Sequence, residues 1–212
     1  MKNIFLLLII CSLTLNGWSQ SVETDFREEW QFGLKIGTNY SNTYSESGAS
    51  FKSNSKIGFA TGLFTTIPIS KYVGIQPEIL YSEKGFQATG MILGESYDFT
   101  RTTSYIDIPI YLLLKPSEFI SLMAGPQYSF LIHQRDVFKN ASSSIAQEQE
   151  FENDSYRKNT FCFAGGADIN IDHIVVGARV GIDALHNRKD DSSTTPRYKN
   201  LWYQVTLGYR FF

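Results

Sequence analysis

The groups in this chain best suited to acid–base chemistry are its three histidines. His133 and His186 each have an aspartate close by in the sequence, Asp136 and Asp183 respectively. General-base catalysis needs a carboxylate that orients a histidine beside a reachable substrate, so these two histidines are the candidates if the chain is a barrel enzyme acting on lipid acyl chains or protein. The third, His173, lies in a short predicted turn. We favour the simpler interpretation, in which the histidines lie at strand ends without a catalytic role, and predict no enzyme activity.

The sequence predicts no metal site and no cofactor. Its two cysteines, Cys11 and Cys162, do not stand in a His/Cys cluster with ligand spacing, so a structural zinc site is not expected. The acidic residues at 148–154 and at 190–191 lack the pattern of a calcium-binding EF-hand loop.

Residues 1–19 have the features of a cleavable export signal. Lys2 supplies a positive charge, residues 4–15 are apolar, and the small residues Gly17 and Ser19 suit a cleavage site. This interpretation divides the chain into a signal peptide at 1–19, a short periplasmic segment at 20–29 and an outer-membrane β-barrel domain at 30–212. The mature chain would keep a single cysteine, which excludes an intramolecular disulfide.

Alternation of apolar and polar residues dominates the rest of the chain. From Ile106 to Leu114 every even position is Ile or Leu, while Asp107 and Tyr111 stand at odd positions. A strict period of two indicates a β-strand with one apolar and one polar face. The same pattern predicts eight strands, at 30–40, 57–69, 73–84, 106–114, 119–132, 160–171, 174–185 and 201–211.

The connections between these strands are alternately short and long. The short ones are 70–72, 116–118 and 172–173, and the long ones are 41–56, 85–104, 133–159 and 186–199. Outer-membrane barrels have an even number of strands, short periplasmic turns and longer extracellular loops. We therefore predict an all-β, eight-stranded antiparallel up-and-down transmembrane β-barrel with both termini in the periplasm.

Glycine on the polar face of the predicted strands indicates which face points inward. The interior of an eight-stranded barrel is just wide enough for side chains to fill, so crowding favours small residues such as Gly33, Gly62 and Gly181 there. The bulky apolar face would then contact lipid. Alternation alone also fits a secreted, soluble, lipocalin-like ligand binder, in which the apolar face lines the interior.

Charged residues of both signs occur in equal number on the polar face. A charge inside a barrel needs a partner, since breaking a buried pair costs about 3–5 kcal/mol. We predict a structural network of lumenal ion pairs in which Lys35, Lys115, Arg179 and Arg210 meet Glu78, Asp107, Asp168 and Asp183.

Three prolines fall within consecutive predicted strands, where each removes a backbone hydrogen-bond donor from the ladder. They are Pro77, Pro109 and Pro126. We expect them to lie near β-bulges at similar heights, bending one wall of the barrel.

Charge and strand number exclude two classes of function. A formal net charge of −2 gives no electrostatic basis for binding nucleic acid. Eight strands leave a lumen that side chains fill, whereas porins with an aqueous path use about sixteen or more, so large ion flux is not expected. An envelope scaffold or a loop-presenting binding protein remains, and the 133–159 connection is the first candidate for contacts with a partner.

Seven segments, spread over nearly the whole mature chain, resemble the PorT-like outer-membrane β-barrel family. They are 33–37 (GLKIG), 58–62 (GFATG), 76–85 (QPEILYSEKG), 105–109 (YIDIP), 124–126 (AGP), 165–168 (GGAD) and 208–211 (GYRF). The resemblance implies a barrel in the outer membrane of a Gram-negative bacterium, usually without assigned chemistry. Founding members of that family are associated with protein secretion and gliding machinery, so membership of a secretion or envelope complex is one role it suggests.

The partners expected from these interpretations are outer-membrane lipid, the barrel-assembly machinery during insertion, and an unidentified protein reached through the extracellular loops. A barrel enzyme with a catalytic rim and a soluble binder remain as the alternatives.

Overall fold

The described part of the chain is built almost entirely from antiparallel strands. The computed structural model describes residues 25–44, 53–92, 95–140, 144–148, 159–185 and 199–211. A 3₁₀ turn at Phe26–Glu28 precedes the first strand. The strands are β1 (Gln31–Tyr44), β2 (Ser53–Pro68), β3 (Val73–Ile92), β4 (Glu95–Leu114), β5 (Ile120–Asn140), β6 (Ser144–Glu148), β7 (Asn159–Ile171), β8 (Ile174–Asp183) and β9 (Lys199–Arg210).

Eight of these strands close into a barrel. Each of β1 to β4 pairs with the next strand along the chain, β5 pairs with β7, and β7, β8 and β9 follow in order. Pairing of β9 with β1, in a register that sets Gly33 opposite Arg210, completes the ring. The short β6 pairs with the outer part of β5, from Arg135 to Lys139, and adds a hairpin beside the barrel. The predicted eight-stranded antiparallel barrel is therefore confirmed.

The two ends of the barrel differ. At the short-turn end lie the connections 69–72, 115–119 and 172–173, together with the start of β1 and the end of β9. Asp172 has φ 50°, in the left-handed region that aspartate tolerates and that a two-residue hairpin turn requires. The opposite end, the far end, carries the remaining connections.

Two predicted loops at the far end contain strand instead. β3 pairs with β4 without a gap from Leu80 to Ile92, opposite Asp107 to Glu95, so the predicted loop 85–104 is wrong. The predicted loop 133–159 is wrong in part, because β5 continues to Asn140 and pairs with β6. Beyond the lipid both faces of a strand meet water or protein, so the alternation that predicts a strand fades while the ladder continues.

The apolar face of the barrel points outward. Leu34, Val180 and Leu207 are 41%, 43% and 54% exposed, whereas Lys35 and Arg179 on the opposite face are buried. Along β8 exposed and buried residues alternate without a break. This orientation overturns the lipocalin-like alternative, whose apolar face would line the interior.

Close contacts with aromatic rings explain two of the inward-facing glycines. A Cβ at Gly33 would stand 2.6 Å from the Phe64 ring, and one at Gly181 would overlap the ring of Trp202. Large side chains from neighbouring strands therefore fill the space that glycine leaves in this narrow lumen.

The expected bulges at the three prolines are not found. Pairing between β3 and β4 stops after Pro77 and resumes at Leu80 in the same register. The register shifts lie elsewhere, between Ser55 and Ala60 in β2 and at Ser104 and Tyr105 in β4. A proline here removes a donor without adding a residue to its strand, so pairing is lost locally and the strands stay in phase.

Candidate functional site: the polar lumen

A cluster of four charged side chains crosses the middle of the lumen. Lys35 Nζ on β1 lies 2.6 Å from Glu78 Oε1 on β3. The same oxygen lies 3.3 Å from Arg179 Nη2 on β8, which also contacts Asp168 Oδ2 on β7 at 3.1 Å. The side chains of Arg179 and Glu78 are fully buried. These four residues, the central ion cluster, join strands from opposite walls and carry two charges of each sign.

Neutral groups complete the surroundings of the central ion cluster. Gln76 Nε2 donates to Glu78 Oε1 at 2.7 Å, and Arg179 Nη1 donates to Thr206 Oγ1 at 3.2 Å. The Arg179 guanidinium lies 5.6 Å from the centre of the Tyr111 ring. These contacts meet most of the hydrogen-bonding capacity of the buried charges and favour a fixed polar core. Glu78 Oε2 is also buried and has no hydrogen-bond partner among the described residues.

A second buried pair lies nearer the far end. Lys84 Nζ is 2.9 Å from Asp107 Oδ2, and it stands 5.0 Å from the centres of the Tyr105 and Trp202 rings. The sequence prediction included Asp107 but missed Lys84. Lys84 stands at an even position of the same strand as Glu78, so the alternation itself indicates that its side chain faces inward.

Three of the eight predicted network residues make different contacts. Asp183 accepts from the backbone N–H and the side-chain amide of Asn200, at 3.0 and 2.6 Å, and from the Cys162 thiol at 3.0 Å. Arg210 donates to Gln31 Oε1 at 3.2 Å and to the Asp172 carbonyl. Lys115 follows β4 and donates to the carbonyl of Arg27.

These three residues therefore differ from the other five, which form buried ion pairs: Lys35, Glu78, Asp107, Asp168 and Arg179. Within the described residues, the hydrogen bonds of Asp183, Arg210 and Lys115 go to neutral groups rather than to charged partners.

An ion pair also lies above the lumen, on the extended parts of β4 and β5. Arg101 donates to both oxygens of Asp136, at 2.8 and 2.7 Å, and its guanidinium lies 5.9 and 5.5 Å from the rings of Phe86 and Phe99. Asp136 is thus committed to Arg101.

The candidate catalytic residues do not form a site in the described chain. His133 is exposed on β5, opposite Ser104, and the aspartate nearest to it in sequence, Asp136, is held by Arg101. His186 lies outside the described residues. Among the residues described, no group of three or more His, Cys, Asp or Glu side chains could hold a metal ion.

None of the described helices is long and apolar enough to cross a membrane.

The chain is similar to known outer-membrane barrels. A family model described as "Outer membrane protein beta-barrel domain" matches residues 18–189. No curated protein sequence matches.

Several solved structures resemble the fold at low sequence identity. The attachment invasion locus protein Ail of Yersinia pestis is 14% identical, with 85% of this chain and 98% of that chain covered and a TM-score of 0.48. Neisserial surface protein A is 11% identical, with 85% and 97% covered and a TM-score of 0.47. The N-terminal β-barrel domain of Pseudomonas aeruginosa OprF is 9% identical, with 86% and 100% covered and a TM-score of 0.41.

Proposed function

Because the chain belongs to the outer membrane protein beta-barrel domain family, we propose that it is a non-enzymatic barrel of the Gram-negative cell envelope. In this proposal it acts as an envelope scaffold or presents its far-end connections to a binding partner. Residues 1–19 direct export and are removed, the short-turn end faces the periplasm with both termini, and the far end faces the outside.

The filled lumen carries this proposal. Lys35, Glu78 and Arg179 meet across the barrel with fully or almost fully buried side chains. A second buried pair, Lys84 and Asp107, lies above them. Two layers of paired charges leave little room for transport of a solute, so the surfaces outside the lumen are where the barrel can act.

The shape of the far end supports a binding role. β3, β4 and β5 extend there over 20, 20 and 21 residues, about twice the 9–11 residues that cross a bilayer. These strands therefore project beyond the membrane and give the far-end connections a rigid support. Loops on a rigid scaffold are common sites of recognition.

The PorT-like resemblance refines the proposal. Membership of that family would connect the barrel with a secretion or envelope complex, with a protein partner reached through the far end. Outer-membrane lipid and the barrel-assembly machinery are the other expected partners. The proposal includes no cofactor.

Cross-linking on intact cells tests the binding role. The variant replaces the far-end segments 45–52, 149–158 and 186–198 with Gly-Ser linkers of equal length, and the matched control replaces the short turn at 116–117 in the same way. Heat-modifiable migration on a gel shows that each barrel has folded. We expect a protein cross-linked to the tagged wild-type chain to be retained by the control and lost by the far-end variant.

Two results would contradict the proposal. One is a set of cross-linked proteins that the far-end replacement leaves unchanged. The other is a hydrolase or acyltransferase activity of the purified barrel that disappears in the His133→Ala or His186→Ala variant, which would establish the enzyme alternative.

A further inference from the structure

A cavity of about 290 Å³ opens at the short-turn end of the barrel, below the central ion cluster. The 3₁₀ turn at Phe26–Glu28 lies beside it, and the residues that line it come from the ends of several strands and from the turns between them. Those that matter most here are Phe26, Gln31, Thr66, Lys115, Asn170 and Arg210.

Two buried cations face this cavity with neutral oxygens as their hydrogen-bond partners. Lys115 and Arg210 are 3% and 6% exposed. Lys115 donates to the Arg27 carbonyl, and Arg210 donates to Gln31 Oε1 and to the Asp172 carbonyl. A buried charge is costly unless a counter-charge accompanies it, so this pair favours an anion close by.

Two of the three carboxylates that line the cavity make contacts elsewhere. Asp168 is bound to Arg179 at 3.1 Å, and the side chain of Asp172 is 75% exposed, 3.8 Å from His173. Glu118, also in the lining, belongs to the turn after β4 and is half-buried.

The Arg27 guanidinium is already neutralised. Asp25 accepts from its Nε and Nη2 at 2.8 and 2.6 Å. Lys115 and Arg210 are therefore the cations of the cavity whose described contacts include no carboxylate.

The electrostatic surroundings of Lys115 also favour an anion beside it. Burial lowers the pKa of the Lys115 ammonium, and the positive charges of Arg27 and Arg210 lower it further, against the opposing effects of Asp25 and Glu28. An anion bound beside Lys115 would relieve both costs.

We propose that this cavity binds a small oxyanion, a phosphate or carboxylate group that enters from the short-turn end. Arg210 and Lys115 contact its charged oxygens. The side-chain amides of Gln31 and Asn170 each have a second N–H that can donate to it, and Thr66, whose hydroxyl donates to Gln76 Oε1 at 2.9 Å, borders the site. The Phe26 ring, 5.1 Å from the Arg210 guanidinium, covers one side. The group belongs either to a free solute or to the head of a phospholipid. The site is independent of the far-end binding role proposed above.

Calorimetric titration of the folded mature barrel in zwitterionic detergent tests the site. The probes are inorganic phosphate, acetate and dihexanoylphosphatidylglycerol below its micelle concentration. We expect saturable binding of at least one probe, and loss of at least about tenfold in affinity in Lys115→Met, because a charge-assisted hydrogen bond is among the strongest polar contacts. Lys71→Met is the matched control, since Lys71 is a lysine at the same end that does not line the cavity and pairs with Asp25 at 3.2 Å.

Arg210→Gln provides a second variant, scored only if its barrel shows heat-modifiable migration. Phosphate or acetate binding that depends on Lys115 identifies a free solute, and binding of the phospholipid alone identifies a headgroup. The proposal is overturned if none of the probes binds saturably, or if Lys71→Met weakens binding as much as Lys115→Met does.

Discussion

Replacing Glu78 by Gln tests how far the central ion cluster stabilises the barrel. Glu78 Oε1 lies 2.6 Å from Lys35 Nζ and 3.3 Å from Arg179 Nη2. Glutamine keeps the shape and removes the charge, so Lys35 loses its carboxylate partner, while Arg179 keeps Asp168 at 3.1 Å. Breaking a buried pair costs about 3–5 kcal/mol, and because the glutamine oxygen still accepts a hydrogen bond we expect a loss of about 3 kcal/mol.

The assay is reversible urea unfolding of the barrel in lipid vesicles, followed by tryptophan fluorescence. Glu83→Gln is the matched control, because Glu83 lies on the same strand, on the half-buried outward side, and accepts from the Tyr81 hydroxyl at 3.1 Å. Its effect on the free energy of unfolding is expected to stay within about 0.5 kcal/mol.

A double variant tests whether the charges of Lys35 and Glu78 are energetically coupled. Lys35→Met removes the ammonium that Glu78→Gln leaves without a carboxylate, so the double variant should be more stable than the sum of the single effects predicts, by about 1 kcal/mol or more. Simple additivity, or a Glu78→Gln effect no larger than that of Glu83→Gln, would show that the cluster contributes little to stability.

Three further predictions concern other parts of the barrel. Gly181→Ala should destabilise the fold by about 1–3 kcal/mol in the same urea assay, because the added methyl group overlaps the Trp202 ring; an unchanged midpoint would contradict this. Leu207→Arg should cost about 2–4 kcal/mol if that outward position faces the middle of the bilayer, and no cost in lipid vesicles would refute it. Hydrogen bonds from Arg27 hold the pKa of the Asp25 carboxyl well below its usual range, so their stabilisation is complete above about pH 4 and is lost as the pH falls further. The amide resonance of Arg27 should therefore shift in acid, and an identical shift in Asp25→Asn would rule out this origin.

The sequence predicts the barrel well where one face of a strand is apolar and points outward and the other is polar and faces the lumen. Along β8 the apolar residues Val176 and Val180 face outward and Arg179 faces inward, so a period of two is visible in the residues themselves. The alternation is lost in the outer parts of β3 and β4. Phe86 and Arg101 pair there and both are buried, so burial no longer follows polarity and the sequence predicts a loop.

The contacts within the lumen depend on register, which the alternation does not contain. Face alone places Lys35, Glu78 and Arg179 inside. Their heights are set by the pairing of β1 with β2 and β9, of β2 with β3, and of β8 with β9. Because the alternation carries no register, it does not show that Lys84, rather than one of the predicted cations, pairs with Asp107. Asp183 is occupied by Asn200 on β9, a partner that no charge pattern reveals.

Quenching of tryptophan fluorescence by lipids with brominated acyl chains tests most directly whether the apolar face contacts lipid. Two forms of the barrel starting at Gln20 are compared, Trp30→Phe, which reports from Trp202, and Trp30→Phe/Trp202→Phe/Val205→Trp, which reports from position 205 on the same strand. Trp202 is 1% exposed on the inward face and Val205 is 58% exposed on the outward face. If the apolar face contacts lipid, quenching is strong at position 205 and weak at Trp202. Strong quenching at Trp202 with little at 205 would contradict it.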